Sequence, residues 1–426
     1  MVFNFGRLPG FHAVAALLVI FAATDGFADS RAPLTLAEAE DIALRDEPGL
    51  SEFRATADAL TEQSVAAGQL PDPMLRLGLA NYPINGGNFR TEGMTQAQLG
   101  IRQTFPRGRL RSMSTAQFSA LATAQREFRQ ARMRSVLAAT RTAWLEIYYW
   151  QRAEQVLAES RPLFVDLLNV TQSMYAVGRK TQSDVLRAEL ELRRLDDRLI
   201  DATRSRSAAQ GGLSQWLAKD AYRPPANKLP DWEQLPQLTV LQENLASHPR
   251  LYAADAQIEA RRAQVGIAEE KGKPGWALDI GYGYRDGLLP NGEPRSDFVS
   301  LSVVIDLPMF RKNRQDRDLA AALSARRAAA SGKQRVAADL RSQLNIEYAQ
   351  WTELTRRLAL YEIDILGLSA SRAEAAMLAY QSESGDFSDV MSGQIDLLNT
   401  RLEHIRIQVS RAQSYAVLAN LGGLSQ

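Results

Sequence analysis

The sequence predicts a mostly α-helical fold with transmembrane β-hairpins, built as a duplicated helix–β-hairpin–long helix–helix unit. Three observations predict this fold class. The two halves of the 426-residue chain match each other at an offset of about 200 residues. Each half contains two segments of about ten residues in which apolar side chains alternate with small or polar ones, as in membrane-spanning strands. Each half also contains a helical stretch far longer than those of globular domains.

The duplication is clearest near residue 175, where the chain reads YAVGRKTQSDVLRAEL, and near residue 380, where it reads YQSESGDFSDVMSGQI. Matching residues in these two stretches lie 205 positions apart. They are Tyr175 and Tyr380, Asp184 and Asp389, and Val185 and Val390. Upstream matches, at offsets of 201 or 202, include Pro48 and Pro249, Pro73 and Pro274, and Pro106 and Pro308. The chain therefore consists of two copies of one unit.

The N-terminus has the pattern of a secretory signal peptide at residues 1–28. Arg7 precedes an apolar run at 13–23, and Gly26 and Ala28 supply small residues for cleavage. The run is too short to span a bilayer as a helix, although an uncleaved anchor is the alternative. No later stretch is long and apolar enough for a membrane helix, so strands must make any crossing.

Composition excludes several classes of partner and site. A net charge of +1 gives no reason to expect a nucleic-acid partner, which would require a dense basic face. The absence of cysteine excludes disulfides and thiolate metal sites. The three histidines do not have metal-ligand spacing and the methionines are scattered. We therefore predict no catalytic activity, no cofactor and no metal site.

The repeat divides the mature chain into two units, 29–217 and 238–426, joined by a proline-containing irregular segment at 218–237. In the first unit the patterns predict helices at 35–70, 107–177 and 182–217, and a β-hairpin at 74–105. In the second unit they predict helices at 238–272, 309–380 and 387–421, and a β-hairpin at 276–307. Glycine-containing breaks between the long and returning helices interrupt the heptads and are predicted to form turns far from the strands.

The alternation gives each hairpin one apolar face and one polar face. We expect the polar face to line a wet lumen, with the residues Arg76, Arg102, Asp279 and Asp306. A single such hairpin would equally suit a half-buried soluble sheet. Four strands cannot close a barrel, and lipid does not tolerate open sheet edges, so membrane strands require an oligomer. Three copies would supply twelve strands, although this argument does not determine the number three.

With these elements in place, the chain resembles the TolC-like outer-membrane efflux family. The resemblance rests on the signal peptide, the duplicated hairpin unit and the pattern Tyr-x-x-Gly-x-x-x-x-x-Asp-Val-Leu beginning at Tyr175. It implies a homotrimer, with a twelve-stranded β-barrel in the outer membrane of a Gram-negative bacterium and a twelve-helix coiled-coil α-barrel in the periplasm. It also implies contact with outer-membrane lipid, a periplasmic adaptor protein and an inner-membrane transporter of the resistance-nodulation-division type.

The resemblance also assigns roles to the two turns. The residues that match the family's adaptor-docking tip are Val177, Gly178, Thr181, Asp184 and Val185, together with Glu383 and Gly385 of the second copy. Asp389 matches an aspartate that forms a ring at the closed periplasmic mouth, and helix capping is the alternative role for it. The second copy departs from the pattern, because Glu383 replaces the glycine found at Gly178. Ser392 stands where some relatives carry a second aspartate, so we expect a single acidic ring.

Two stretches favour one branch of that family. LPDPMLRLGLANYP and MTQAQLGIRQTFPRGRLR are similar to members that serve heavy-metal pumps. The expected function is therefore a passive exit duct of a tripartite efflux system, with heavy-metal cations as substrate. The alternatives are a duct for drug efflux or for type I-like protein secretion and, in a different class, a soluble periplasmic coiled-coil scaffold.

Overall fold

The structure is a computed structural model that describes residues 32–382 and 384–422. The predicted signal peptide at 1–28 and the predicted tip residue Glu383 lie outside the described residues. The first half contains, in order, α1 (Leu36–Arg45), α2 (Pro48–Ala67), β1 (Met74–Ala80), β2 (Gln96–Phe105), α3 (Leu110–Ala176) and α4 (Gln182–Leu217). The second half contains α5 (Leu238–Leu245), α6 (Pro249–Glu270), β3 (Trp276–Tyr284), β4 (Phe298–Ile305), α7 (Gln315–Leu360), α8 (Leu366–Gln381) and α9 (Phe387–Gly422).

The first helical stretch of each copy is broken at the same place, before a proline. Pro48 and Pro249 each occupy the first helical position, where the missing N–H is not needed. The residue before each proline caps the new helix. The Glu47 carboxylate accepts the Leu50 N–H at 2.6 Å, and His248 Nδ1 accepts the Arg250 N–H at 3.1 Å.

The long helices differ between the copies. α3 runs without interruption for 67 residues, through Pro162, and is about 100 Å long at 1.5 Å per residue. The corresponding stretch of the second copy starts at Gln315, later than the predicted 309, because residues 306–314 are irregular. It is also interrupted by a π-helical turn at Tyr361–Ile365, which separates α7 from α8.

The two hairpins form one antiparallel sheet in the order β1-β2-β3-β4. β2 pairs with β3 across the two halves of the chain, with Leu99 opposite Tyr282 and Arg102 opposite Asp279. β4 ends at Ile305, so Asp306, predicted as a strand residue, lies one position beyond the strand. The sheet therefore joins the two copies, which the alternation alone does not predict.

One face of this sheet is apolar and uncovered. Its large apolar side chains are between 44% and 79% exposed. They are Leu75, Leu77, Leu79, Leu99, Ile101, Trp276, Ile280, Tyr282, Tyr284, Val299, Leu301, Val303 and Ile305. A sheet in water buries such a face against a second layer, and no described element of this chain covers it.

The helical body is packed around α3 and bound by the segment between the two copies. Trp144 of α3 is buried and donates its indole N–H to the Leu34 carbonyl at 3.0 Å. Leu34 forms a parallel bridge with Pro225. Trp232 of the same inter-copy segment stacks on Tyr415 of α9 with ring centroids 5.0 Å apart. The segment at 218–237 is therefore an irregular belt that contacts both copies.

The mostly helical fold with an antiparallel hairpin sheet is confirmed. Within the described ranges, no helix combines the length and hydropathy needed to cross a membrane. The twelve-stranded closure and the trimer require further copies of the chain and stay predictions.

Candidate functional site

The first tip ends α3 with a Schellman motif. Gly178 has φ +78°, a conformation that costs glycine little because it has no Cβ. Its N–H donates to the Tyr175 carbonyl, and the Arg179 N–H donates to the Met174 carbonyl, both at 2.9 Å. Val177, the preceding residue, is 71% exposed. Gly178 therefore reverses the chain and leaves an apolar side chain in solvent at the turn.

The returning helix α4 begins with a capping box. Thr181 is the N-cap, and its hydroxyl accepts the Asp184 N–H at 3.3 Å. The Asp184 carboxylate accepts the Thr181 N–H at 3.0 Å and its hydroxyl at 2.8 Å. The backbone hydrogen bond from Thr181, then its hydroxyl and the charges of Lys180 and Arg187, lower the pKa of Asp184. Asp184 thus stabilises the turn, while Val185 is half-buried beside it.

The second tip repeats part of this geometry. The Ser384 N–H donates to the Ala379 carbonyl at 2.9 Å. This hydrogen bond is the repeat equivalent of the one from Arg179 to Met174, because both residues lie 205 positions later in the chain. Gly385 lies against α8, because a Cβ there would lie 2.9 Å from the Ala379 Cβ. The two glycines therefore have different roles: Gly178 permits a backbone conformation, whereas Gly385 permits a close approach.

Asp389, the predicted gate residue, is the third residue of α9, the position that Asp184 has in α4. Its N–H donates to the Asp386 carbonyl at 3.1 Å, and its side chain is exposed. The Asp386 carbonyl accepts the first backbone hydrogen bonds of α9, so Asp386 rather than Asp389 immediately precedes the helix. The Asp389 carboxylate is exposed, and its role at a gate stays a prediction.

The two tips pack against each other through residues for which the sequence predicts no role at the site. The buried Tyr380 hydroxyl contacts Met174 Sδ at 3.2 Å, and the Lys180 ammonium lies 4.9 Å from the Tyr380 ring centroid. Phe387 is also buried, with its ring 5.8 Å from that of Tyr380. Tyr175, the repeat counterpart of Tyr380, is 48% exposed. The duplication aligns the two tyrosines but does not reveal which one is buried.

Exposed ion pairs connect the second outgoing helix to α9 above the tip. Arg372 of α8 pairs with Asp396, and Arg357 of α7 contacts Glu403 at 2.7 Å. These pairs lie on either side of the π-helical turn at Tyr361–Ile365. Solvent-exposed ion pairs contribute about 0–1 kcal/mol each, so breaking these two pairs costs little.

The polar face of the sheet brings together three of the four predicted lumen residues. Arg102 donates to both Asp279 carboxylate oxygens, at 2.8 and 2.9 Å, and Asp279 is 5% exposed. Arg76 lies on the same face, in register with Gly100 and, through it, with Gly281. No described residue forms a hydrogen bond or an ion pair with the Arg76 side chain.

Asp306, the fourth, lies apart at the junction with the helices. Its carboxylate contacts Arg107 at 3.1 Å, and its N–H donates to the Gly275 carbonyl at 2.8 Å. Asp306 therefore stabilises the junction between sheet and helical body. The described residues contain no group of three or more His, Asp or Glu side chains that could hold a metal ion.

Comparisons with known proteins show the fold. No protein-family model and no curated protein sequence matches this chain. The outer membrane protein VceC of Vibrio cholerae is 16% identical, with a TM-score of 0.76 over 91% of this chain and 96% of that chain. The outer membrane channel MtrE of Neisseria gonorrhoeae is 18% identical, with a TM-score of 0.70 over 91% and 88%.

A third similar structure is CusC, which is 14% identical and has a TM-score of 0.76 over 91% of this chain and 92% of that one. It was studied for conformational changes that accompany folding and transmembrane channel formation. At these identities the likeness establishes a shared fold along nearly the whole described chain.

Proposed function

We propose that this protein is the outer-membrane exit duct of a tripartite efflux system. It acts as a passive homotrimer and catalyses no reaction. The observation that carries the proposal is the four-stranded sheet with its uncovered apolar face. Thirteen large apolar side chains there are at least 44% exposed, an arrangement that water does not stabilise and that a lipid bilayer does.

The sheet edges support the oligomer. β1 and β4 pair on one side only within the described chain, so each leaves a row of backbone groups without partners. Inside lipid each unpaired group would cost several kcal/mol, and pairing β1 of one copy with β4 of the next removes that cost. Three copies then give a closed barrel of twelve strands, with Arg76, Arg102 and Asp279 facing the lumen.

The tips are the proposed contact with a periplasmic adaptor. The exposed Val177 beside the Gly178 turn offers an apolar contact, and Thr181 and Asp184 hold its backbone. Asp389 forms the proposed gate, with three carboxylates around the axis. Docking would open the tip by repacking α7 and α8 on α9, across the ion pairs that flank the π-helical turn.

The pump is proposed to be an inner-membrane transporter of the resistance-nodulation-division type, which supplies the energy. Heavy-metal cations are the proposed substrate, on the similarity of the stretches around Pro73 and Phe105. Organic drugs and secreted polypeptides are the alternatives within the same fold. A soluble periplasmic scaffold is the alternative of another class, and it would leave the apolar sheet face in water.

A susceptibility panel on a deletion strain tests the function. We expect loss of the gene to sensitise cells to copper, silver, zinc, cadmium or cobalt, and expression of the full chain to restore tolerance. Sensitivity to detergents, dyes and antibiotics alone would support the proposed duct but show that its substrates are organic compounds rather than metal cations. Unchanged tolerance to every compound, with the protein recovered in the soluble periplasmic fraction, would contradict the duct itself.

A further inference from the structure

The segment that follows β4, residues 307–314, is the most exposed apolar and basic stretch of the sheet–helix junction. Leu307 is 69% exposed, Met309 75% and Phe310 80%, and every residue from 309 to 314 is exposed. We call residues 307–314 the junction segment. Isolated exposed apolar residues are common on protein surfaces, but three within four positions form a patch that requires explanation.

The equivalent connection of the first copy is shorter, and its basic residues are bonded to other parts of the chain. Four residues, 106–109, separate β2 from α3, whereas nine residues, 306–314, separate β4 from α7. In the first copy Arg107 donates to the Lys271 carbonyl at 2.6 Å and contacts Asp306 at 3.1 Å. Arg109 donates its backbone N–H to the buried Glu270 carboxylate at 3.1 Å. The basic residues of that connection therefore have partners within the chain.

The basic residues of the junction segment differ in this respect. Arg311 contacts Asp316 at 3.5 Å. Lys312, Arg314 and the following Arg317 are exposed, and no described residue accepts a hydrogen bond from their side chains or pairs with their charges. Cationic side chains at the start of α7 are disfavoured by the helix dipole. The two aspartates in the first turn of α7 pair elsewhere, Asp316 with Arg311 and Asp318 with Lys271 at 3.9 Å. The three cationic side chains are therefore available to an anionic group outside the chain.

The order of side chains along the segment indicates what that partner is. Leu307 lies two residues after Ile305, the last residue of β4, and the Asp306 N–H between them still donates to the Gly275 carbonyl at 2.8 Å, so an exposed apolar side chain directly follows the apolar residues of the strand. Phe310 follows it, and Lys312 and Arg314 come next. Apolar, then aromatic, then cationic groups match the acyl, interfacial and phosphate layers of a bilayer leaflet.

We propose that the junction segment anchors the protein at the periplasmic leaflet, with Phe310 among acyl chains and Lys312 and Arg314 on phospholipid phosphates. The inference rests on the proposed membrane position of the sheet. Because only the second copy carries the longer connection, each protomer has one anchor. The partner is the anionic surface of a phospholipid bilayer, and soluble phosphate does not replace it because the apolar half of the segment would stay in water.

Single-cysteine labelling tests the anchor directly, because the chain contains no cysteine. The variant Phe310→Cys carries an environment-sensitive fluorophore, and the full chain is reconstituted in vesicles of phosphatidylcholine with phosphatidylglycerol. Leu301→Cys reports the membrane position of β4. Ile200→Cys is the matched control, because Ile200 is apolar, 70% exposed and on α4, away from the sheet.

We expect the label at 310 to be quenched by spin-labelled lipid and to be several-fold less sensitive to aqueous iodide than the label at 200. If iodide quenches the label at 310 as strongly as the label at 200, and the label at 301 is in lipid, the proposed anchor is wrong and the proposed duct is unaffected. Labels at both 301 and 310 in water overturn the proposed duct as well.

A second measurement tests the charges. In the Phe310→Cys background, emission should shift to the blue as the phosphatidylglycerol fraction rises. The double change Lys312→Gln and Arg314→Gln should remove that dependence. A shift that persists in the double variant, or one that added inorganic phosphate abolishes, contradicts headgroup binding by these side chains.

Discussion

Arg76 should control the ion selectivity of the proposed duct. The charge of Arg102 is neutralised by Asp279 through two hydrogen bonds of 2.8 and 2.9 Å. Arg76 has no such partner among the described residues, and the neighbouring positions on its face, Gly100 and Gly281, have no side chains to cover it. Because the charged residues of the four strands are two arginines, Arg76 and Arg102, and one aspartate, Asp279, the polar strand face has a net charge of +1 per chain.

The dimensions of the barrel determine how far that charge acts. Twelve strands about 4.8 Å apart and tilted by about 40° give a circumference of about 75 Å and a backbone radius of about 12 Å. The Debye length is about 30 Å at 0.01 M salt, about 10 Å at 0.1 M and about 3 Å at 1 M. Three Arg76 side chains should therefore make the whole bore positive in dilute salt, and only the wall positive at 1 M.

The assay is the reversal potential of single channels in a planar bilayer under a potassium chloride gradient. We expect Arg76→Gln to lower chloride permeability relative to potassium in dilute salt, with the difference vanishing near 1 M. The double variant Arg102→Gln and Asp279→Asn is the control, because it removes one charge of each sign. Identical reversal potentials for the native chain and Arg76→Gln in dilute salt would refute the reasoning.

Three further predictions concern the fold. Gly178→Ala should lower the free energy of unfolding by about 1 kcal/mol in a urea titration, because Gly178 has φ +78°. Its control is Gly212→Ala inside α4, which should leave the free energy of unfolding unchanged or raise it. Leu344→Ala should cost about 2–5 kcal/mol in the same titration, because Leu344 is fully buried, whereas Ile346→Ala, 54% exposed, should cost far less. Burial, and then the charges of two arginines, lower the pKa of His248 to about 4, whereas its value in the unfolded chain is about 6.5. The unfolded chain therefore takes up a proton first as the pH falls, and stability should decrease as the pH drops from about 6.5 to about 4. His248→Asn should make the midpoint temperature of thermal unfolding less dependent on pH over the same interval, and an unchanged pH dependence would show that another group is responsible.

The sequence predicts the repeated architecture well because its local signals are strong. Alternation at Leu75–Leu79 and at Trp276–Tyr284 depends only on neighbouring residues, and Gly178 followed by Thr181 identifies a turn and a cap without tertiary information. The observed strands β1 and β3 begin at Met74 and Trp276, the first residues of the two predicted hairpins.

The features that the sequence does not predict depend on long-range packing. The pairing of β2 with β3 joins residues about 180 positions apart, and nothing in either strand specifies its partner. Tyr175 and Tyr380 match in the repeat, yet only Tyr380 is buried, because Phe387 and Met174 cover it. These environments arise from contacts between elements that are not neighbours in the chain.

The longer connection of the second copy also has a signal in the sequence. The offset between the copies is 202 residues at Pro106 and Pro308 and 205 residues at Tyr175 and Tyr380. The second copy must therefore gain three residues between these points. Two features of the second copy fall in or beside that interval, the longer connection after β4 and the π-helical turn at Tyr361–Ile365.

The measurement that tests the central claim most directly is native mass spectrometry of the full-length product extracted from membranes in detergent. The account predicts a particle of three chains: four strands per chain cannot close a barrel in lipid, which requires an oligomer, and the resemblance to the TolC-like family implies three copies. A single chain that stays soluble without detergent would contradict the duct and support the periplasmic scaffold.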